Sequence, residues 1–170
     1  MNNFVQRTLS GAVYVALVVA SILVHPIFFG VLFLVVSVLA AREYMSLRGA
    51  SCFLRVASMK ATALLFAMAW WVAFSEWNLS WLMPLLLALY VIIVGATLIS
   101  ELFRKAADPV KNWGDFLVSQ VMIALPFALM NGVMMLSPWL LLALFVLIWL
   151  NDSGAYCVGS LLSKRKGGNH

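Results

Sequence analysis

The sequence is poor in charge. Only 10% of its 170 residues are Asp, Glu, Lys or Arg, and the acids number six against eleven basic residues. A soluble domain carries about 25% charged residues and about 45–50% apolar ones. With 65% hydrophobic residues and a mean hydropathy of +1.04, a water-soluble domain and a disordered segment are both excluded. Cysteine is scarce as well. Cys52 and Cys157 are too few for a disulfide scaffold. Cys/His metal spacing, nucleophile–base pairs, internal repeats and low-complexity tracts are also missing. Gly154 and Gly159 have the separation of a phosphate-binding glycine loop, but Ser160 stands where the lysine is required and no strand precedes them.

What the chain does have is long apolar runs. In lipid every backbone N–H and C=O must be paired internally, so such runs read as helices. The expectation is an all-α polytopic transmembrane bundle, a single domain over residues 1–170. Six spans are drawn at about 9–24, 27–43, 61–75, 79–100, 116–136 and 138–162. The fourth is the most apolar, and its Leu, Ile and Val residues alone supply about −4 to −7 kcal/mol of insertion drive. His25-Pro26 reads as a tight turn between the first two spans. The third extends back towards Phe53 if Arg55 and Lys60 snorkel. Pro126 is expected to kink the fifth span and free a carbonyl. A cleaved signal peptide at residues 1–24 is the rival reading, but no small-x-small site precedes the second run.

Basic residues set the orientation. Arg7, then Arg42, Arg48, Arg55 and Lys60, then Arg104, Lys105 and Lys111, and finally Lys164, Arg165 and Lys166 all fall in alternate connections or tails. The turns around His25, Glu76 and Asn131 have none. The positive-inside rule then puts both termini in the cytosol. It also accounts for the net charge of +5 without a nucleic-acid partner. In the loop at roughly 101–115, Asp108-Pro109 is a turn signal and Trp113 an expected interfacial anchor. Glu43 is expected to pair locally with Arg42.

The polar run Asn151-Asp152-Ser153-Gly154-Ala155-Tyr156 interrupts the last span. The apolar stretch Trp139–Leu150 is too short to cross a bilayer unless the helix continues through that run. Asp152 would then lie about 20 Å beyond Pro138, within the hydrocarbon at a cost of roughly 2.5–3.5 kcal/mol if unpaired. Asp152, Tyr156, Gly159 and Ser163 share one helix face, and Ala155 with Gly159 permits close approach. A carboxylate at such a mouth suits a divalent cation that clamps phosphate oxygens. The alternative is that the span ends near Leu150 and Asp152 or Ser153 caps a short interfacial helix. Lys164, Arg165 and Lys166 read either as a stop-transfer run or as a phosphate contact.

These residues resemble a known family. Asn151-Asp152-Ser153-Gly154-Ala155-Tyr156, followed by Gly159 and Lys164, is similar to the mid-chain motif of bacterial phosphatidate cytidylyltransferases. Arg7, Ser10-Gly11-Ala12-Val13-Tyr14 and Glu43 echo the family's amino-terminal pattern. The resemblance implies transfer of a cytidylyl group from CTP to phosphatidic acid with magnesium, in the bacterial inner membrane, for phospholipid biosynthesis. It implies that Asp152 is the catalytic and metal residue and that Asn151, Ser153, Tyr156 and Lys164 bind substrate. Two departures stand out: Ser163 replaces the family's glycine before Lys164, and Ser160 replaces a basic residue. The family's further signature elements are expected beyond His170, so the chain reads as an amino-terminal portion, inactive alone. A homo-oligomer is left open. The rival class is a small transporter or channel subunit with an intramembrane Asp, and a third reading is a non-catalytic membrane scaffold.

Overall fold

A computed structural model describes residues 3–74 and 81–166; the side chains of residues 3–8, 10, 156, 157 and 160–166 lie outside the described set. The described residues form helices throughout: α1 (Asn3–Val24), α2 (Pro26–Leu47), α3 (Cys52–Phe74), α4 (Leu82–Phe103), α5 (Pro109–Ser119), α6 (Leu125–Leu136) and α7 (Pro138–Lys166). A π-helical turn, Gln120–Ala124, joins α5 to α6 in one continuous rod. Among the described residues five stretches are long and apolar enough to cross a membrane: α2, α3, α4, the α5–α6 rod and Pro138–Ala155 of α7. Gly11–Val24 of α1 is a shorter apolar stretch. The helices overrun the apolar windows, and α3 begins at Cys52, so Arg55 and Lys60 ride on its first turns.

The punctuation is local chemistry. Pro26 opens α2 with His25 as its cap, whose Nδ1 accepts from the Ile27 N–H at 3.2 Å. Asp108 caps α5 by accepting from the Lys111 N–H at 2.9 Å, with Pro109 next. The Asp-Pro turn signal is thus a helix start. Helix α2 ends in a Schellman motif: Gly49 takes φ +70°, and the Gly49 and Ala50 N–H groups donate to the Ser46 and Met45 carbonyls. Lys105 fills the equivalent left-handed position after α4, at φ 54°. Pro126 has no N–H for the Met122 carbonyl. The chain absorbs this through the π turn ahead of it, in which the Leu125 N–H donates to Gln120.

Two cores hold the bundle. At the end where α1 meets α2, Val18, Ile22, Phe29, Phe33, Phe66, Met134, Leu141 and Phe145 form an aromatic-rich cluster. Phe33 packs against Phe29 at 4.6 Å and against Phe145 at 5.6 Å between ring centroids. Nearby, Trp70 lies over Gly30 and donates its indole N–H to the Pro26 carbonyl at 3.1 Å. A Cβ at Gly30 would stand 2.5 Å from the indole nitrogen, so only glycine lets α2 and α3 approach this closely. The second core, Met45, Ala50, Leu54, Ala57, Ala61 and Phe116, is built from smaller side chains. It lies at the opposite end, where α2 ends, α3 begins, α4 ends and α5 begins. That end also carries Arg48, Arg55, Arg104, Lys105 and Lys111.

Candidate functional site

Helix α7 runs unbroken for 29 residues, about 43 Å. It passes straight through the polar run, so Asp152 lies within a continuous helix, about 21 Å beyond Pro138. Asn151, Asp152, Ser153, Gly154 and Ala155 are all exposed on the isolated chain. The side chains of Asn151, Asp152 and Ser153 make no hydrogen bond or ion pair with another described residue. The side chains of Tyr156 and Lys164 lie outside the described set, as do those of Ser163, Arg165 and Lys166. The helix thus brings Asn151, Asp152 and Ser153 together by adjacency alone. Above them, Trp149 packs on Phe145 at 5.9 Å and on Tyr14 of α1 at 6.3 Å, which fixes the rotation of α7 at the turn before Asp152.

The magnesium expected from the resemblance needs several oxygen ligands. Among the described residues no group of three or more His, Cys, Asp or Glu is placed to hold a metal. Asp152 alone does not make that site.

The structure gathers polar groups elsewhere. Glu101, 1% exposed at the last turn of α4, accepts from the Asn112 side-chain amide of α5 at 2.6 Å. Its other oxygen has no hydrogen bond, and the Arg104 guanidinium stands 3.9 Å from it. Arg104 also reaches Ser51 at 3.4 Å and covers the Phe53 ring at 4.6 Å. Across α5, buried Asp115 accepts from the Arg48 Nε–H at 2.7 Å. That hydrogen bond, and then the Asp115 charge, raise the Arg48 pKa above the usual arginine value. The result is a ring, Arg48–Asp115 and Asn112–Glu101–Arg104–Ser51, that ties the ends of four helices together. Both ion pairs among the described residues belong to it, and Glu43 does not pair with Arg42.

Deeper in the bundle, Ser58 and Ser119 hydrogen-bond at 2.8 Å. Gln120 donates to both, at 3.3 and 3.1 Å, and accepts from the Tyr90 hydroxyl at 3.4 Å. Trp113, expected as an interfacial anchor, is half-buried and donates to the Leu98 carbonyl of α4 at 2.9 Å.

Sequence reasoning missed Glu101 and Asp115 as buried groups, since charges at the ends of apolar runs read as solvated. The available signal was scarcity: with six acids in the chain, each one beside a span matters. Pairing could not be read, because Arg48 and Asp115 are separated by 67 positions.

Long apolar helices closed at one end by buried, paired charges define a polytopic helical membrane protein. The sequence matches the cytidylyltransferase family over residues 5–168, and the chain belongs to that family. This makes it a domain of a CTP-utilising transferase, in keeping with the resemblance at Asn151–Tyr156. No curated protein and no solved structure matches it.

Proposed function

We propose that the chain is the membrane-embedded front part of a phosphatidate cytidylyltransferase, joining CTP and phosphatidic acid into CDP-diacylglycerol and pyrophosphate. The observation that carries this reading is the family match over residues 5–168 coupled to the run Asn151–Tyr156 on a helix that continues past it. In the reaction an oxygen of the lipid phosphate attacks the α-phosphorus of CTP, forming a P–O bond. The bond to the departing pyrophosphate breaks in line with it.

Asp152 sits where a carboxylate within the apolar region demands a polar partner, which is the argument for its catalytic and metal role. Asn151 and Ser153 flank it and supply hydrogen-bonding groups to substrate. Tyr156 follows one turn later on the same face, and Lys164 offers a cation for phosphate near the helix end. Asp152 would be one holder of a magnesium ion, which would supply charge to offset that of the phosphates. Both termini face the cytosol, where CTP is available, and the membrane is the bacterial inner membrane. The support for that orientation is the clustering of basic residues at one end of the bundle. The transporter reading draws on the same aspartate, but nothing in the family match favours it.

Purified protein incubated with labelled CTP and phosphatidic acid tests the proposal, with CDP-diacylglycerol and pyrophosphate as readouts. The 170 residues alone are expected to give no turnover, and turnover is expected once the family's remaining signature elements are joined to them. In that joined chain Asp152→Asn is expected to lower kcat by about 100-fold or more. Unchanged lipid output from that variant would remove Asp152 from the chemistry. Turnover by the 170-residue chain alone would overturn the view that it is a part.

A further inference from the structure

Helices α3 and α4 do not close completely along their outer side. A groove of about 270 Å³ runs between them, lined by Phe53, Val56, Ala57 and Lys60 of α3 and by Ile93, Ala96, Thr97 and Ser100 of α4. Most of this lining is apolar, but it includes one cation, the exposed Lys60. Lys60 lies eight residues past the start of α3, about 12 Å along the helix. Helical side chains lean towards the amino-terminal end of their own helix, so Lys60 overlies the turn at Val56 and Ala57 and rises along the groove. There it meets the level of Thr97 and Ser100, because α4 runs antiparallel to α3.

Lys60 has no carboxylate within ion-pair distance among the described residues; of the acids at this end, Glu101 and Asp115 are engaged by Arg104 and Arg48, Asp108 caps α5, and Glu43 makes no ion pair with a described residue. The Thr97 hydroxyl is committed to the Ile93 carbonyl at 2.6 Å. Ser100 makes no side-chain hydrogen bond with a described residue, which leaves its hydroxyl available in the lining that it shares with Lys60. At the mouth, Arg104 is stacked on Phe53, itself part of the lining.

A positive charge within a mostly apolar groove, open to the outside of a membrane bundle, matches an amphiphile with an anionic head. We propose that the α3–α4 groove binds the head and first methylenes of an anionic glycerophospholipid, with Lys60 on the phosphate and Ser100 beside it. Val56, Ala57, Ile93 and Ala96 receive the chain. The groove is too small for a whole lipid, so the tails continue into the surrounding bilayer. A larger groove of about 500 Å³ between α1 and α2 contains no charged residue in its lining and has no basis for selecting a head group. The α3–α4 seat is separate from helix α7, whose main contacts are with α6 and α1. It therefore does not rest on the transferase reading.

The test is lipid retention by the purified 170-residue protein, released from nanodiscs of mixed phosphatidylcholine and phosphatidylglycerol and read by native mass spectrometry. The wild-type chain is expected to retain phosphatidylglycerol over phosphatidylcholine. Lys60→Gln is expected to cut that retention about fivefold, the effect of one basic residue at an anionic head, and Lys60→Arg to preserve it. Ala96→Phe, which fills the groove without changing charge, is expected to cut it as well and carries the test if Lys60→Gln does not fold. Lys111→Gln, on α5 outside the groove, is the control for general charge attraction. Equal retention of both lipids, full retention by Lys60→Gln and Ala96→Phe, or an equal loss in Lys111→Gln would overturn the proposal. So would displacement of the lipid by inorganic phosphate, which would make the occupant a soluble anion.

Discussion

Glu101 and Asp115 lie in one region of the molecule and Asp152 in another, and the two regions treat a carboxylate in opposite ways. Glu101 and Asp115 are buried, each held by a donor from a different helix at 2.6 or 2.7 Å. Asp152 is exposed on the side of α7 with no polar contact from another described residue. A buried charge must have its partners in place when the chain folds, because an uncompensated one is strongly destabilising. An exposed charge on a membrane helix can instead wait for a ligand or another segment. The first arrangement is that of a structural clasp, and the second is the one that the role proposed for Asp152 requires. Stability therefore falls to the end of the bundle formed by α2 to α5, whereas the proposed chemistry falls on α7.

The contrast can be broken most forcefully at Asn112. Asn112→Leu takes away the hydrogen bond to Glu101 and leaves that carboxylate with Arg104 alone. A loss of about 2–3 kcal/mol is expected in reversible unfolding from mixed micelles. A change near zero would mean that the ring is not the clasp described. Ser119→Ala removes the hydroxyl shared by Ser58 and Gln120 and should cost about 1 kcal/mol by the same measurement, the scale of a helix–helix hydrogen bond in a membrane.

At the edge of the same region, Lys105→Gly relieves a left-handed backbone that a β-carbon disfavours. It should stabilise the protein by about 1 kcal/mol, and destabilisation would show that the Lys105 side chain contributes more than its backbone costs. The smallest effect belongs to the other region. Asp152→Asn should shift stability by no more than about 0.5 kcal/mol, in contrast to its expected effect on turnover. A large stability loss there would place Asp152 in a clasp of its own and dissolve the distinction.

Much of the fold was legible because its rules are local. His25-Pro26 and Asp108-Pro109 mark helix ends through backbone geometry that involves only near neighbours. Pro126 announced a disturbance, though not its form, since a kink and a π turn both answer a missing N–H. The continuous α7 followed from the shortness of the apolar stretch before Asn151. The candidate site was half legible. Residues 151–156 could be found from the sequence because polar groups inside an apolar run are conspicuous. The ring could not, because Arg48, Glu101, Arg104 and Asp115 sit at span ends, where charge is ordinary. Trp113 was legible as an aromatic at a span end, but its partner, the Leu98 carbonyl of α4, was not.

The sequence by itself determined that this chain is a set of apolar helices with its basic residues in alternate connections. Hydrophobic transfer and backbone hydrogen bonding act on each segment independently of the others. Only the tertiary structure decided which acids are buried, which tryptophan turns inward and where a lysine is left facing an apolar groove. Those outcomes depend on which helix faces meet, and Arg48 reaches Asp115 across 67 positions of chain that carry no local sign of the pairing.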